Sequence, residues 1–145
     1  MARFEQSVTI NRPIEEMFAF VSDLDNQTRW RSGLELAELT SDESFGVGAT
    51  YREVERFLGR KMERTMEVTG FEPNVKCSFK STSGPVAFSA TISFEAHEGG
   101  TRVSMAADAE LGGFFRVAEP MVVRMGRRQM ESDMADLKDL LEGQG

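Results

Sequence analysis

Across residues 34–110 apolar and polar residues alternate at a period of two, and no stretch of helical spacing interrupts them. Such a pattern demands strands with one face buried and one wet. Turn-forming breaks at 41–48, 59–60, 72–74, 83–85 and 98–100 divide it into six predicted strands. A further alternation over 3–11 sets Phe4, Val8 and Ile10 against Glu5, Ser7 and Thr9, which adds a strand at the start. Between the two regions, Asn11-Arg12-Pro13 supplies a capping residue and an early helical proline. Ile14, Met17, Phe18 and Val21 follow at helical spacing, and 23–31 predicts one more turn ending near Trp30. After Gly112-Gly113 a long helical pattern runs to about Leu141, where Gly143 closes it. Strand, short helices, six strands and a long helix imply an antiparallel sheet with helices on one face, an α+β layer fold.

A chain of 145 residues fits one domain, 1–145, able to bury about two-thirds of its unfolded surface without staples. Its formal net charge of -7 argues against nucleic acid as a partner. The basic cluster Arg124, Arg127 and Arg128 has Glu131 and Asp133 close by and reads as a solvated helix face. Cys77 is the only cysteine, and no long apolar run or signal core is present. A cytoplasmic protein without integral membrane contact is the expectation.

Two hairpins predict which side chains point inward. With Gly59-Arg60 as the centre of a type II′ turn, Leu58 pairs with Lys61, and Arg56–Glu63 and Arg52–Glu67 form charge rungs on the wet face. The inner face then pairs Phe57 with Met62, Glu55 with Arg64, Glu53 with Met66 and Tyr51 with Val68. In the second hairpin, with 97–100 as the loop, Glu95 pairs with Arg102 outside. Phe94–Val103, Ile92–Met105, Ala90–Ala107 and Phe88–Ala109 pair inside, where the small residues leave room for a cavity.

The inner face is apolar around one polar island of Tyr51, Glu53, Glu55 and Arg64. A buried carboxylate needs a partner, and Arg64 can supply one to Glu55. Three roles stay open: a structural ion pair, an anchor for a ligand headgroup, or a catalytic acid/base pair. On the last helix Val123, Met130, Met134, Leu137 and Leu141 form a stripe for the sheet, with Gly126 at its edge. Phe114, Val117, Ala118, Met121, Val122 and Met125 cluster on nearly the opposite side. That second stripe packs under the Trp30 segment, gates a cavity entrance with flexible methionines, or forms a dimer interface. Pro120 marks the first turn of the main helix.

The chain resembles the polyketide cyclase/dehydrase branch of the START-like (SRPBCC) superfamily over essentially its whole length. The segments that carry the resemblance begin with Asn11-Arg12-Pro13-Ile14-Glu15-Glu16-Met17-Phe18, Trp30 followed by Gly33, and Gly46 and Gly48 before a strand. Glu67-Val68-Thr69-Gly70-Phe71-Glu72-Pro73, Gly99-Gly100-Thr101-Arg102-Val103 and Asp136-Leu137-Lys138 complete them. The resemblance implies a helix-grip fold: a seven-stranded curved antiparallel sheet wrapped on a long C-terminal helix, with two short helices after the first strand and a deep cavity inside. It implies binding of lipids, polyketides or other apolar molecules, and in some members aromatase or cyclase activity. It brings no single catalytic signature.

The chemistry available is narrow. His97 is the only histidine and falls in a hairpin loop, so neither a metal site nor a histidine-based triad is expected. Gly46-x-Gly48 and Gly112-Gly113 lack any nucleotide-binding context, and no cofactor is expected. Cys77 alternates with Phe79 on the inner face and reads as a small buried apolar residue. The leading expectation is a binder of a small apolar ligand: a lipid, polyketide or aromatic. Its cavity would draw on Trp30, Tyr51, Glu53, Glu55 and Phe57, on Met62, Arg64, Met66, Phe79 and Phe88, and on Ile92, Met105, Phe114, Met121 and Met125. A cyclase or dehydratase working through Glu53 or Glu55 with Arg64 and Tyr51 is the alternative. An interaction protein using 114–125 is the third, so both monomer and homodimer stay open.

Overall fold

The computed structural model describes residues 2–41, 45–111 and 116–143. Strand β1 (Ala2–Ile10) leads to helix α1 (Ile14–Val21), a 3-10 turn (Leu24–Asn26) and the short helix α2 (Gln27–Trp30). Strands β2 (Leu34–Leu39), β3 (Thr50–Phe57), β4 (Arg60–Glu72), β5 (Lys76–Ser83), β6 (Ala87–His97) and β7 (Gly100–Glu110) follow, then helix α3 (Glu119–Glu142). The strands make one antiparallel sheet in the order β1-β7-β6-β5-β4-β3-β2. β2 to β7 is a plain meander, and β1 closes it by pairing with β7, Phe4 opposite Ala107 and Val8 opposite Val103. Register shifts at Leu34/Leu36, Thr65/Met66 and Val68/Gly70 bend the strands. Such bulges curve a sheet towards whatever its inner face must cover. This is the architecture that the family resemblance implies.

The first helix differs from expectation in its cap. Pro13 occupies the capping position without a side-chain hydrogen bond. Asn11 instead donates its backbone N–H to Glu142 Oε2 at 2.9 Å, and Arg12 Nε donates to the Leu141 carbonyl at 2.9 Å. The segment that precedes α1 is therefore pinned to the end of α3. Pro120 lies in the first turn of α3, where its missing N–H costs nothing.

The β6–β7 hairpin has the expected register throughout, from Glu95 opposite Arg102 to Phe88 opposite Ala109. The β3–β4 hairpin does not. Phe57 pairs with Arg60, Glu55 with Met62, Glu53 with Arg64 and Tyr51 with Met66, a slip of two residues from the expected pairing. The turn centres on Leu58 and Gly59, both at positive φ (51° and 75°), as a type I′ turn requires. A leucine in that conformation is strained, whereas glycine in the first position of a type II′ turn is not. The chain nevertheless adopts the first solution. Because the slip is even, every side chain keeps its face. The expected outer rungs are replaced: Arg52 bonds Glu63 diagonally at 2.8 Å and Glu38 on β2 at 3.0 Å, while Arg56 reaches Glu35 at 3.2 Å.

The main core joins Ile10, Met17, Phe18, Val21, Cys77, Ile92, Phe94 and Val103 to Met134, Leu137 and Leu141 of α3. Phe18 anchors α1 with its ring edge-on to Phe71 and Phe94, centroids 5.3 and 5.2 Å apart. Further along α3, the Phe4 ring rests on Gly126, where a Cβ would stand 2.7 Å from Phe4 Cε1. That close approach fixes the rotation of the helix and brings Val122, one turn earlier, into the interior, rather than Val123. Val117, Met121 and Met125 are exposed, at 89%, 48% and 37%. They do not pack under the Trp30 segment, because that segment meets α3 at Gln129 and Asp133, two turns and more downstream of Met121. Phe114 lies outside the described residues.

Candidate functional site

Between the inner face of the sheet and the first half of α3 lies a cavity of about 210 Å3, partly open to solvent. Its position follows from residue size. Ala90 on β6 and Ala107 and Ala109 on β7 stand where larger side chains would reach the helix. Phe4, Phe57, Met62, Phe88 and Met105 complete an apolar floor, and Val122, Gly126 and Met130 form the roof. An engineered apolar cavity of about 150 Å3 takes up benzene, so this one has room for somewhat more. A smaller void of about 50 Å3 adjoins it, bordered by Tyr51, Glu53, Met66, Phe79 and Ile92, with Arg31, Phe88, Ala90 and Met105 common to both.

At one end the wall is polar. Arg64 donates from Nε and Nη2 to Glu53 Oε1, at 3.0 and 2.7 Å, and from Nη2 to Glu55 Oε1 at 2.8 Å. Arg31 donates to Glu53 Oε2 at 2.8 Å and to Gln27 Oε1 at 3.3 Å, and its Nη2 stands 3.8 Å from Glu55 Oε2. Gln27 is oriented in turn by the Val21 carbonyl, 2.6 Å from its Nε2. The Arg64 guanidinium also lies 4.8 Å from the centroid of the Phe88 ring. Burial opposes ionisation of Glu53, yet Arg31 and Arg64 together outweigh it and hold its carboxyl below the usual range. Both its oxygens accept from guanidinium groups, which makes it a poor proton acceptor. Burial pushes Tyr51 upward, reinforced by Glu53, so its phenol stays protonated.

Facing this end from α3 is Asp133, a buried carboxylate. Its Oδ1 accepts from the Ser32 backbone N–H at 3.2 Å, the Ser32 hydroxyl at 3.3 Å and Gln129 Nε2 at 2.9 Å. These bonds latch α3 to the turn after α2. Burial raises the Asp133 pKa, and the hydrogen bonds from Ser32 and Gln129 only partly offset it. Trp30, 2% exposed, adds its ring to the same wall. Its Nε1 is the one buried side-chain nitrogen or oxygen without a hydrogen-bond partner among the described residues.

Of the residues singled out in the sequence, Trp30, Glu55, Phe57, Met62, Arg64, Phe88 and Met105 border the larger cavity. Tyr51, Glu53, Met66, Phe79 and Ile92 border the smaller one. Met121 and Met125 border neither and lie on the outer side of α3. The β3–β4 slip puts Glu53 rather than Glu55 directly opposite Arg64, while the expected Glu55–Arg64 ion pair still forms diagonally at 2.8 Å. Arg31, Gln129 and Asp133 were missed. Asp133 carried a signal, a carboxylate three residues from Met130 and four before Leu137, in phase with the buried stripe. Arg31 follows α2 in a segment with no periodicity to orient it. His97 closes the β6–β7 turn, and the buried Cys77 thiol is pushed up to about 11 by desolvation. Among the described residues no three His, Cys, Asp or Glu side chains are grouped to hold a metal, and no helix is long and apolar enough to cross a membrane.

Residues 1–142 match the family model described as polyketide cyclase/dehydrase and lipid transport. No curated protein matches the chain. Among solved structures, the protein TTHA0849 of Thermus thermophilus is similar over 99% of both chains, with a TM-score of 0.86 at 20% identity. A START superfamily protein of Mycobacterium smegmatis matches over 100% of both chains, with a TM-score of 0.85 at 16% identity. The di-domain ARO/CYC protein BexL of the BE-7585A biosynthetic pathway matches 98% of this chain and 47% of its own length, with a TM-score of 0.75 at 18% identity. At these identities the likeness is one of fold.

Proposed function

This chain belongs to the polyketide cyclase/dehydrase and lipid transport family, and on that premise we propose that it binds a small apolar molecule between sheet and helix. The observation that carries the proposal is the void itself: Ala90, Ala107 and Ala109 leave unfilled a space that a packed core would close. Empty apolar volume costs stability, and a ligand that fills it repays that cost in contacts. The polar end at Arg31, Glu55, Arg64 and Asp133 orients the occupant, as a few convergent polar groups do in other pockets. A reducing compartment such as the cytoplasm suits a chain with one buried, free cysteine.

Trp30 is the only tryptophan and forms part of the cavity wall, so its fluorescence reports occupancy directly. Titration with octan-1-ol gives a saturable change in wild type. Ala107→Phe, which fills the void, abolishes that change while keeping the thermal transition within a few degrees. An identical, non-saturating response from both proteins would remove the proposal.

A cyclase or dehydratase reading has one observation in its favour. Asp133, a buried carboxyl of raised pKa, shares the cavity wall with Arg64, a pairing able to move a proton beside a stabilised enolate. Glu53 is unsuited to that work, since two arginines occupy it. Turnover of a poly-β-ketone by wild type and not by Asp133→Asn would establish the enzyme; equal rates would exclude Asp133 from catalysis.

A further inference from the structure

We infer that the molecule held in this cavity presents a neutral oxygen at its polar end, that of an alcohol, ketone or ester, rather than a carboxylate or phosphate. The inference rests on the binding proposal and adds to it the ligand's class.

At the polar end both arginines are already paired with carboxylates. Two guanidinium groups, Arg31 and Arg64, face two carboxylates, Glu53 and Glu55, and every one of the four engages a partner of opposite sign within 3.0 Å, or 3.8 Å for the Arg31–Glu55 pair. These groups are well shielded, with side-chain exposures of 16% and 6% for the arginines and 2% and 18% for the glutamates. A site built for an anion leaves an arginine or a fork of N–H donors without a carboxylate of its own. Here, among the described residues, an incoming carboxylate would find only Arg64 Nη1 to accept from, on a guanidinium that Glu53 and Glu55 already pair. Its charge would then stand in the same wall as Glu55 and Asp133, two further carboxyl groups. An added negative charge would thus be held beside like charges in a mostly apolar wall, which is costly.

A neutral oxygen meets no such obstacle. The hydrogen bonds of Arg64 run from Nε and Nη2, and no residue among those described accepts from its Nη1. Among the described residues Asp133 is bonded through Oδ1 alone, which leaves Oδ2 as an acceptor for a hydroxyl. Donor and acceptor are thus available to a neutral oxygen while neither arginine is left without a carboxylate.

Isothermal titration of wild type with octan-1-ol and with octanoate, equal in chain length, tests the proposal near pH 8, where the acid is fully ionised. The alcohol binds at least about tenfold more tightly than the acid, a difference of about 1.4 kcal/mol. Glu55→Gln, which leaves one guanidinium charge unmatched, narrows or reverses that ratio by improving octanoate. Octanoate binding to wild type as tightly as octan-1-ol would overturn the inference while leaving the cavity's binding role intact. An unchanged ratio in Glu55→Gln, with circular dichroism matching wild type, would overturn it as well. If octan-1-ol, methyl octanoate and octanoate all fail to bind, the binding proposal falls and takes the inference with it. The wild-type ratio stands as a test even if the variant does not fold.

Discussion

At Glu53 a carboxylate 2% exposed is shared by two guanidinium groups, and its removal leaves both short of a counter-charge. Breaking a buried ion pair from one side costs about 3–5 kcal/mol, so Glu53→Gln lowers the unfolding free energy by roughly that amount in urea. The pH dependence has a definite sign. The folded-state pKa of Glu53 is depressed, so its contribution is present above the ordinary carboxylate range and fades as pH falls through the depressed value. The gap between wild type and Glu53→Gln therefore closes on acidification. Asp133 behaves oppositely. Its folded-state pKa is raised, so its contribution is fully present below the ordinary carboxylate range and lost as pH rises through the raised value. Asp133→Asn keeps an oxygen for Ser32 and Gln129 yet sheds the buried charge. Denaturation at pH 7 is expected to find it as stable as wild type or more so, with the advantage gone in acid. A marked loss of stability at pH 7 would show that the charge itself holds α3 to the α2 turn.

Among the elements, the two hairpins show how far local pattern determines structure. In β6–β7, Glu98-Gly99 takes the two left-handed positions of the turn, glycine second, and the expected pairing follows. In β3–β4 the same geometry falls on Leu58-Gly59, and leucine gives no hint of a left-handed backbone. The alternation of Tyr51, Glu53, Glu55 and Arg64 places them on the inner face in either register, which is why the polar island was legible while its pairing was not. Leu58→Asn relieves the strain and raises the unfolding free energy by about 1 kcal/mol, seen as a higher thermal midpoint. Helix α3 teaches a related lesson. Its periodicity located Met130, Met134, Leu137 and Leu141, but the rotation of its first half is set by Phe4 on Gly126, a contact that no local spacing encodes. Met121 consequently points outward, away from the cavity. Met121→Glu is expected to change octan-1-ol affinity by less than about twofold and stability by no more than about 0.5 kcal/mol, as for an exposed substitution.

For the molecule as a whole, the order of strands and helices carried the architecture, because a meander of alternating strands followed by one long amphipathic helix has few ways to bury its apolar faces. The cavity was legible only in part. Ala90, Ala107 and Ala109 opposite Phe88 and one another signalled missing volume, but whether α3 would settle into that volume depends on the latch of Asp133, Gln129 and Ser32 and on the seat of Phe4. Those contacts join residues about a hundred positions apart, beyond the reach of any periodic reading. The result is a helix held off the sheet over an apolar chamber of about 210 Å3 with one polar end, where both arginines are paired with carboxylates. The claim that this chamber exists to be occupied is tested most directly by native mass spectrometry of the protein as purified from cells, set against its denatured mass. A bound apolar molecule should appear as an excess mass that vanishes on denaturation; equal native and denatured masses would contradict the account.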